Sequence, residues 1–238
     1  CSQRSIDRAS TDADLNLVCA ARFAVSDVAE IALIAHENLH DENCLAMPAT
    51  KVRKMHTSRR DAFKVINDSP IARINLDKFE ILKEFNMRDN KKVVKIDSKF
   101  NDKVAVVKIV PGQDPDVLDY YKSNGYKGII LEVAGIGQIS GKDGRYNWLP
   151  KIKKLINEGM VIFAVAQTIY GRLNSNVYSK GRDIANVGVI YLGDMLSETA
   201  YVKLGWILGH KAWYYDSEKI KEKMLLNISG EFNEKIGF

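Results

Sequence analysis

The sequence predicts an α/β protein of two domains with parallel sheets. From residue 104 onward, short apolar runs alternate with amphipathic stretches, the signature of strand–helix crossovers and of a parallel sheet covered on both faces. The length of 238 residues suits two domains rather than one. Hydrophobic residues at 46% and charged residues at 27% fit a globular composition and not a disordered one. No apolar run approaches the roughly 20 residues needed to cross a bilayer. The opening "CSQRSIDRAS" has no apolar signal core. It is polar and lacks an initiator Met, so the expectation is a later part of a longer protein.

The elements follow in order. "DADLNLVCAARFAV" reads as a helix, with Leu15, Val18, Ala21 and Val25 at helical spacing and Thr11 or Asp12 as N-cap. "AEIALIA" (29–35) reads as a buried strand, and "NCLAMPA" as another stopped by Pro48. "KVRKMHTSRRDAF" reads as a basic loop leading into a helical turn, and "PIARINLDKFEIL" as extended chain. The charged stretch 83–103 is the expected boundary, giving domains at 1–90 and 104–238 with a linker at 91–103. Beyond it, "KVAVVKIV", "KGIILEVAG", "MVIFAVAQ" and "VIYLG" read as strands. "DPDVLDYYKSNG", "WLPKIKKLINEG", "KGRDIANVG" and "SETAYVKLGWILGH" read as the helices between and after them. Ligands of such sheets sit beyond the strands' carboxyl ends, so function is expected at the loops after residues 134 and 167.

Four motifs carry candidate chemistry. "HENLH" (36–40) has zinc-protease spacing, but that chemistry needs a helix and a third ligand, and Ala46 stands where a further histidine would be. His36 and His40 therefore read as residues of a strand end and loop. "VAGIGQ" (133–138) lacks the third glycine of a dinucleotide fingerprint and reads as a tight turn that admits a ligand or a neighbour. "KVRKMHTSRR" (51–60) is either a solvated basic face or an anion site. One of its lysines could relay protons if desolvated or crowded by cations. "SQRSIDRASTDADLNL" (2–17) suits an anion or substrate loop at a helix start, or an ordinary capped loop. The net charge of +5 permits an RNA partner without requiring one. Cys1, Cys19 and Cys44 form no CxxC pair and read as reduced thiols in a cytoplasm.

Taken together, "SQRSIDRASTDADLNL" and "KVRKMHTSRRDAF" resemble the asparaginase-like D subunits of archaeal glutamyl-tRNA(Gln) amidotransferases. "YGRLNSNVYSKGRDIANVGVI", "DMLSETAYVKLGWILGH" and "MLLNISGEF" resemble the same proteins, so the likeness runs over essentially the whole chain. It implies two asparaginase-type domains, the first truncated at its N-terminus. It also implies a mechanism. A threonine of a TGGTI-type motif attacks the side-chain amide of glutamine. A threonine and aspartate of a TDT-type motif, with a lysine, move protons and activate water. The family lysine falls on Lys54, nine residues before Phe63. Ammonia then passes to the amidotransferase E subunit, the partner that uses ATP and magnesium to amidate glutamyl-tRNA(Gln). This chain itself is expected to bind no cofactor and no metal.

The departures set further expectations. Neither the TGGTI-type nor the TDT-type motif occurs in these residues, so the polypeptide by itself is expected not to hydrolyse glutamine or asparagine. Its first domain is expected to need the missing segment for stability. Ala9 stands where the family commonly has proline, which loosens the loop slightly. Gln138 stands where free asparaginases tend to carry an asparagine that reaches a neighbouring protomer's site, which argues weakly against asparagine as substrate. Family members pair as homodimers within a heterotetramer, and the loop around Arg172–Tyr178 is expected near such an interface. The rivals are a free L-asparaginase and a non-catalytic RNA-contacting scaffold; salt-sensitive tRNA binding without amide hydrolysis would mark the latter.

Overall fold

A computed structural model describes residues 2–234. The chain forms two compact units that meet in sequence between Lys95 and Ile96.

The first unit opens with helix α1 (Ala13–Ala24). Its buried face is Asn16, Cys19 and Phe23, rotated from the Leu15–Val18–Ala21–Val25 stripe that periodicity suggests. Val18 and Val25 are exposed. The face that wins is the one that packs on the sheet: Cys19 and Phe23 join Ile34, Cys44, Ala46, Ile71 and Ile74 in one core. Strands β1 (Ala32–His36), β2 (Cys44–Pro48), β5 (Ala72–Ile74) and β6 (Phe79–Ile81) form that sheet in the order β1-β2-β5-β6.

Every pairing in it is antiparallel. This corrects the parallel sheet expected for the first domain. For β1–β2 and β5–β6 the physical reason is connection length: β1 returns as β2 through residues 37–43, and β5 as β6 through 75–78. A parallel return needs a crossover of a dozen residues or more. At the second turn, Asn75 Oδ1 accepts from the backbone N–H groups of Asp77 (2.9 Å) and Lys78 (2.7 Å). Between β2 and β5, strands β3 (Val52–Lys54) and β4 (Phe63–Val65) pair with each other as a separate two-stranded hairpin. The basic segment thus ends in a strand rather than in the expected helical turn.

The second unit matches the alternating pattern. Strands β7 (Val104–Lys108), β8 (Gly128–Val133), β9 (Val161–Ala166) and β10 (Ile190–Tyr191) pair in parallel in the order β10-β9-β8-β7. Period-two alternation divides their side chains between two faces. Ile129, Leu131, Val133 and Ile162 share a core with Leu118 of α2 (Val117–Ser123), Trp148 and Ile152 of α3 (Trp148–Asn157), and Ile184 of α4 (Ser179–Asn186). Ile130, Val161, Phe163 and Val165 share the other with Leu204 and Ile207 of α5 (Ser197–Leu208) and Met224 of α7 (Ser217–Leu225). The short α6 (Lys211–Tyr214) joins those last two helices.

Segment 97–103 lies along α5. His210 Nε2 meets the Asp97 carboxylate at 2.7 Å, the Asn101 N–H donates to the Gly205 carbonyl at 2.9 Å, and the Phe100 and Tyr201 rings are 6.0 Å apart. A methyl group on Gly205 would overlap the Phe100 ring, and one on Gly209 the backbone of Lys99 and Phe100. No helix among the described residues is long and apolar enough to cross a membrane.

Candidate functional site

Lys54 closes β3 opposite Phe63 of β4. Its side chain is exposed, with Nζ 5.8 Å from the centre of the Phe63 ring. A cation over an aromatic face is held by the ring quadrupole, which gives the ammonium a weak tether and leaves it open to a reactant.

The loop of that hairpin, 55–62, is built from its own polar groups. The backbone N–H groups of Ser58 and Arg59 donate to His56 Nδ1, both at 3.1 Å. Arg59 forks onto Asp61, from Nε at 2.9 Å and Nη2 at 3.1 Å, and Lys64 Nζ donates to the same carboxylate at 2.9 Å. Asp61 is buried. Burial alone would push its carboxyl up; Lys64 and Arg59 outweigh that and hold it below its ordinary range. Lys51 is fully buried at the hairpin's other end. The basic stretch is therefore not a uniformly solvated face. Arg59 and Arg60 are committed to Asp61 and Asp41, and Lys54 stands out as an exposed cation on an ordered strand end.

The loop before α1 is tied to a buried carboxylate. Asp12 accepts from the backbone N–H of Gln3 (2.8 Å) and of Arg4 (2.9 Å), and from Asn16 Nδ2 (3.0 Å). Those two N–H groups are already taken by the chain. Asp12 is the helix-start residue, as expected, but its side chain caps no helical N–H. It holds the incoming loop instead.

"HENLH" lies on a strand end and turn, so its histidines do not share a helix face. His36 is buried; Nδ1 meets Asn16 Oδ1 at 2.8 Å and Nε2 meets Asp41 Oδ1 at 3.0 Å. His40 is exposed. Arg60 and then His36 hold the Asp41 carboxyl below its usual value. Cys44 Sγ donates to Asn16 Oδ1 at 3.2 Å. Burial pushes the Cys19 and Cys44 thiols up, so neither is a reactive thiolate. Cys1 lies outside the described residues. Sequence reading missed that Asp12, Asn16, His36 and Asp41 form one chain. The available signals were an asparagine inside an apolar helix stripe and a histidine ending an apolar strand.

In the second unit, the turn after β8 is closed by an Ala134–Gln138 bridge, with Gly135 and Gly137 at φ 53° and 124°. The Tyr191 ring lies where a side chain on Gly137 would be, and its hydroxyl donates to the Gly137 carbonyl at 2.9 Å. The close approach read from "VAGIGQ" is thus made by a neighbour. Burial pushes the Tyr191 hydroxyl up to about 12. Arg172 donates to the carbonyls of Asn233 and Glu234, and Asp194 accepts from the Asn233 N–H at 2.9 Å, so this loop region grips the tail.

Comparison with known proteins gives these loops a family. Residues 1–87 match the N-terminal asparaginase domain, and residues 103–224 the glutaminase/asparaginase C-terminal domain. The glutamyl-tRNA(Gln) amidotransferase D subunits of Thermococcus kodakarensis and Pyrococcus furiosus are each 46% identical to this chain over 97% of it, and that of Methanosarcina acetivorans 42% over 98%. The chain spans about half the length of these relatives (51%, 51% and 53%). Among solved structures, the thermostable L-asparaginase of Thermococcus kodakarensis superposes with a TM-score of 0.83 at 28% identity, over 98% of this chain and 66% of that one. L-asparaginase I of Vibrio cholerae, at 21% identity and a TM-score of 0.79 over 98% of this chain and 66% of that one, shares the fold. With both domain profiles matched in order along its length, the chain belongs to the glutaminase/asparaginase family and is a homologue of the amidotransferase D subunits.

Proposed function

We propose that the protein carrying this chain releases ammonia from glutamine for a tRNA-dependent amidotransferase that converts Glu-tRNA(Gln) to Gln-tRNA(Gln). The observation that carries this is the 46% identity to D subunits, sustained over 97% of the chain. In this reading a threonine hydroxyl from outside these residues attacks the glutamine side-chain carbonyl. The amide nitrogen leaves as ammonia, and water hydrolyses the resulting ester. Lys54 is the proton-handling lysine beside that nucleophile: an exposed ammonium on an ordered strand end, with Arg59 and Arg60 of its loop paired to Asp61 and Asp41. ATP and magnesium serve the partnering E subunit, and the working assembly is a cytoplasmic heterotetramer containing a homodimer of the glutamine-hydrolysing protein.

Without the TGGTI-type and TDT-type motifs, these 238 residues alone lack the nucleophile and are expected to show no turnover. Glutaminase activity of this polypeptide by itself would overturn that. The functional reading is tested by ammonia release from glutamine by the complete protein, with and without partner, ATP and glutamyl-tRNA. Release that rises on adding them supports it; release from asparagine indifferent to them favours a free L-asparaginase. The superposition on the Thermococcus L-asparaginase keeps that second reading in play.

A further inference from the structure

We propose that the turn between β1 and β2 is the brace that positions Lys54, with His36 and Asp41 as its positioning residues; this rests on the reading of Lys54 given above. A two-stranded ribbon is marginal by itself, and β3–β4 pairs with no other strand of the described sheets. Something besides its own ladder must fix the direction in which Lys54 points.

The turn at 37–41 supplies three attachments. Lys64 Nζ donates to the Glu37 carbonyl at 3.2 Å. Arg60 donates to the Leu39 carbonyl and to the Asp41 carboxylate. The turn is itself fixed from behind by His36, which meets Asp41 in front and Asn16 in the core. Asn16 continues to Asp12, and Asp12 to the backbone of Gln3 and Arg4. One unbroken polar chain therefore joins the loop before α1 to the hairpin loop. These are the two segments whose sequence identified the family. Asn16 orientation is set by its partners: its Nδ2 faces the Asp12 carboxylate, so its oxygen faces His36 and Cys44. A buried, connected network of this kind specifies one arrangement of the parts that it joins. In this proposal its members act through the placement of Lys54.

Asp41 makes the brace separable from folding, because its side chain is 65% exposed while it meets His36 Nε2 and accepts from Arg60. The experiment compares Asp41→Ala, Asp41→Asn and wild type in the complete protein, by amide hydrogen exchange and by glutamine kinetics. The Met55 and Ala62 amides close the hairpin loop and report its order. In Asp41→Ala their exchange is expected to rise about tenfold. The kcat is expected to fall about tenfold with KM changed less than about twofold, since a misplaced proton-handling group costs rate rather than binding. Asp41→Asn keeps an acceptor oxygen and should recover most of both. Unchanged exchange at Met55 and Ala62 overturns the brace, as does a kcat within about twofold of wild type despite faster exchange. If the wild-type protein does not hydrolyse glutamine at all, the functional reading fails instead, and the exchange comparison alone decides whether the brace exists.

Discussion

At the scale of single residues, the proposal singles out one exposed lysine, and the hairpin loop commits two carboxylates to arginines. Lys54→Ala in the complete protein is expected to reduce glutamine turnover by about a hundredfold or more, the usual weight of a proton-handling side chain. Its melting temperature should stay unchanged, because the side chain is exposed and its ring contact is weak. Asp61 makes the opposite kind of prediction. Its folded pKa lies below the unfolded value, so its contribution to stability is complete above the unfolded value of about 4 and is lost as pH falls through the folded one. Thermal melts from about pH 5 to pH 2 should therefore fall more steeply for wild type than for Asp61→Asn. Lys54 is put forward only through the family resemblance. Spacing could not distinguish it from Lys51, yet the two have opposite fates, one exposed and the other fully buried. Burial of a cation depends on neighbours supplied from distant segments, which no local pattern records.

Among the elements, the helix α5 and the tail that returns to it show how a terminal segment is secured. Lys203 of α5 and Glu231 of the tail are 3.0 Å apart with side chains only 5% and 6% exposed. Glu231 also accepts from the backbone N–H groups of Ile228 (2.7 Å) and Ser229 (2.8 Å). Burial raises its carboxyl, and the Ser229 N–H, its own backbone N–H and Lys203 bring it below its ordinary value. Lys203→Ala leaves that buried charge without its cation and should cost about 3 kcal/mol, measured by denaturant unfolding. Element existence was largely readable where the pattern was long. Alternation gave β7 to β10 and the helices between them. It failed at Val52–Val65, where a charged segment with few apolar residues carries no period, and the hairpin shows only as pairing across the loop. The amphipathic stretch "SEKIKEKML" is a helix that sequence reading passed over; its buried Ile220 and Met224, four apart, were the signal. In α1 the helix was visible but its face was not, because Asn16 is buried by bonds to Asp12, His36 and Cys44 rather than by apolarity.

On the whole-molecule scale, the second unit has what an independent domain needs. A four-stranded parallel sheet is covered on both faces, and each face has its own apolar core. A polypeptide starting at Ile96 is expected to fold alone, with a single cooperative melt by circular dichroism; a broad, non-cooperative melt would refute this. The antiparallel sheet of the first unit was not legible, since the same short apolar runs serve either arrangement and only the lengths of the turns decide between them.

The seating of residues 97–103 across α5 has a mechanical consequence. Tension entering the second unit through the chain at its first residues reaches the helix before it reaches any strand, because Asp97, Phe100 and Asn101 are fastened to His210, Tyr201 and Gly205 ahead of β7. Under an optical trap the first rupture should be this strap peeling from its helical rail at low force, with the sheet yielding only in a later and larger step.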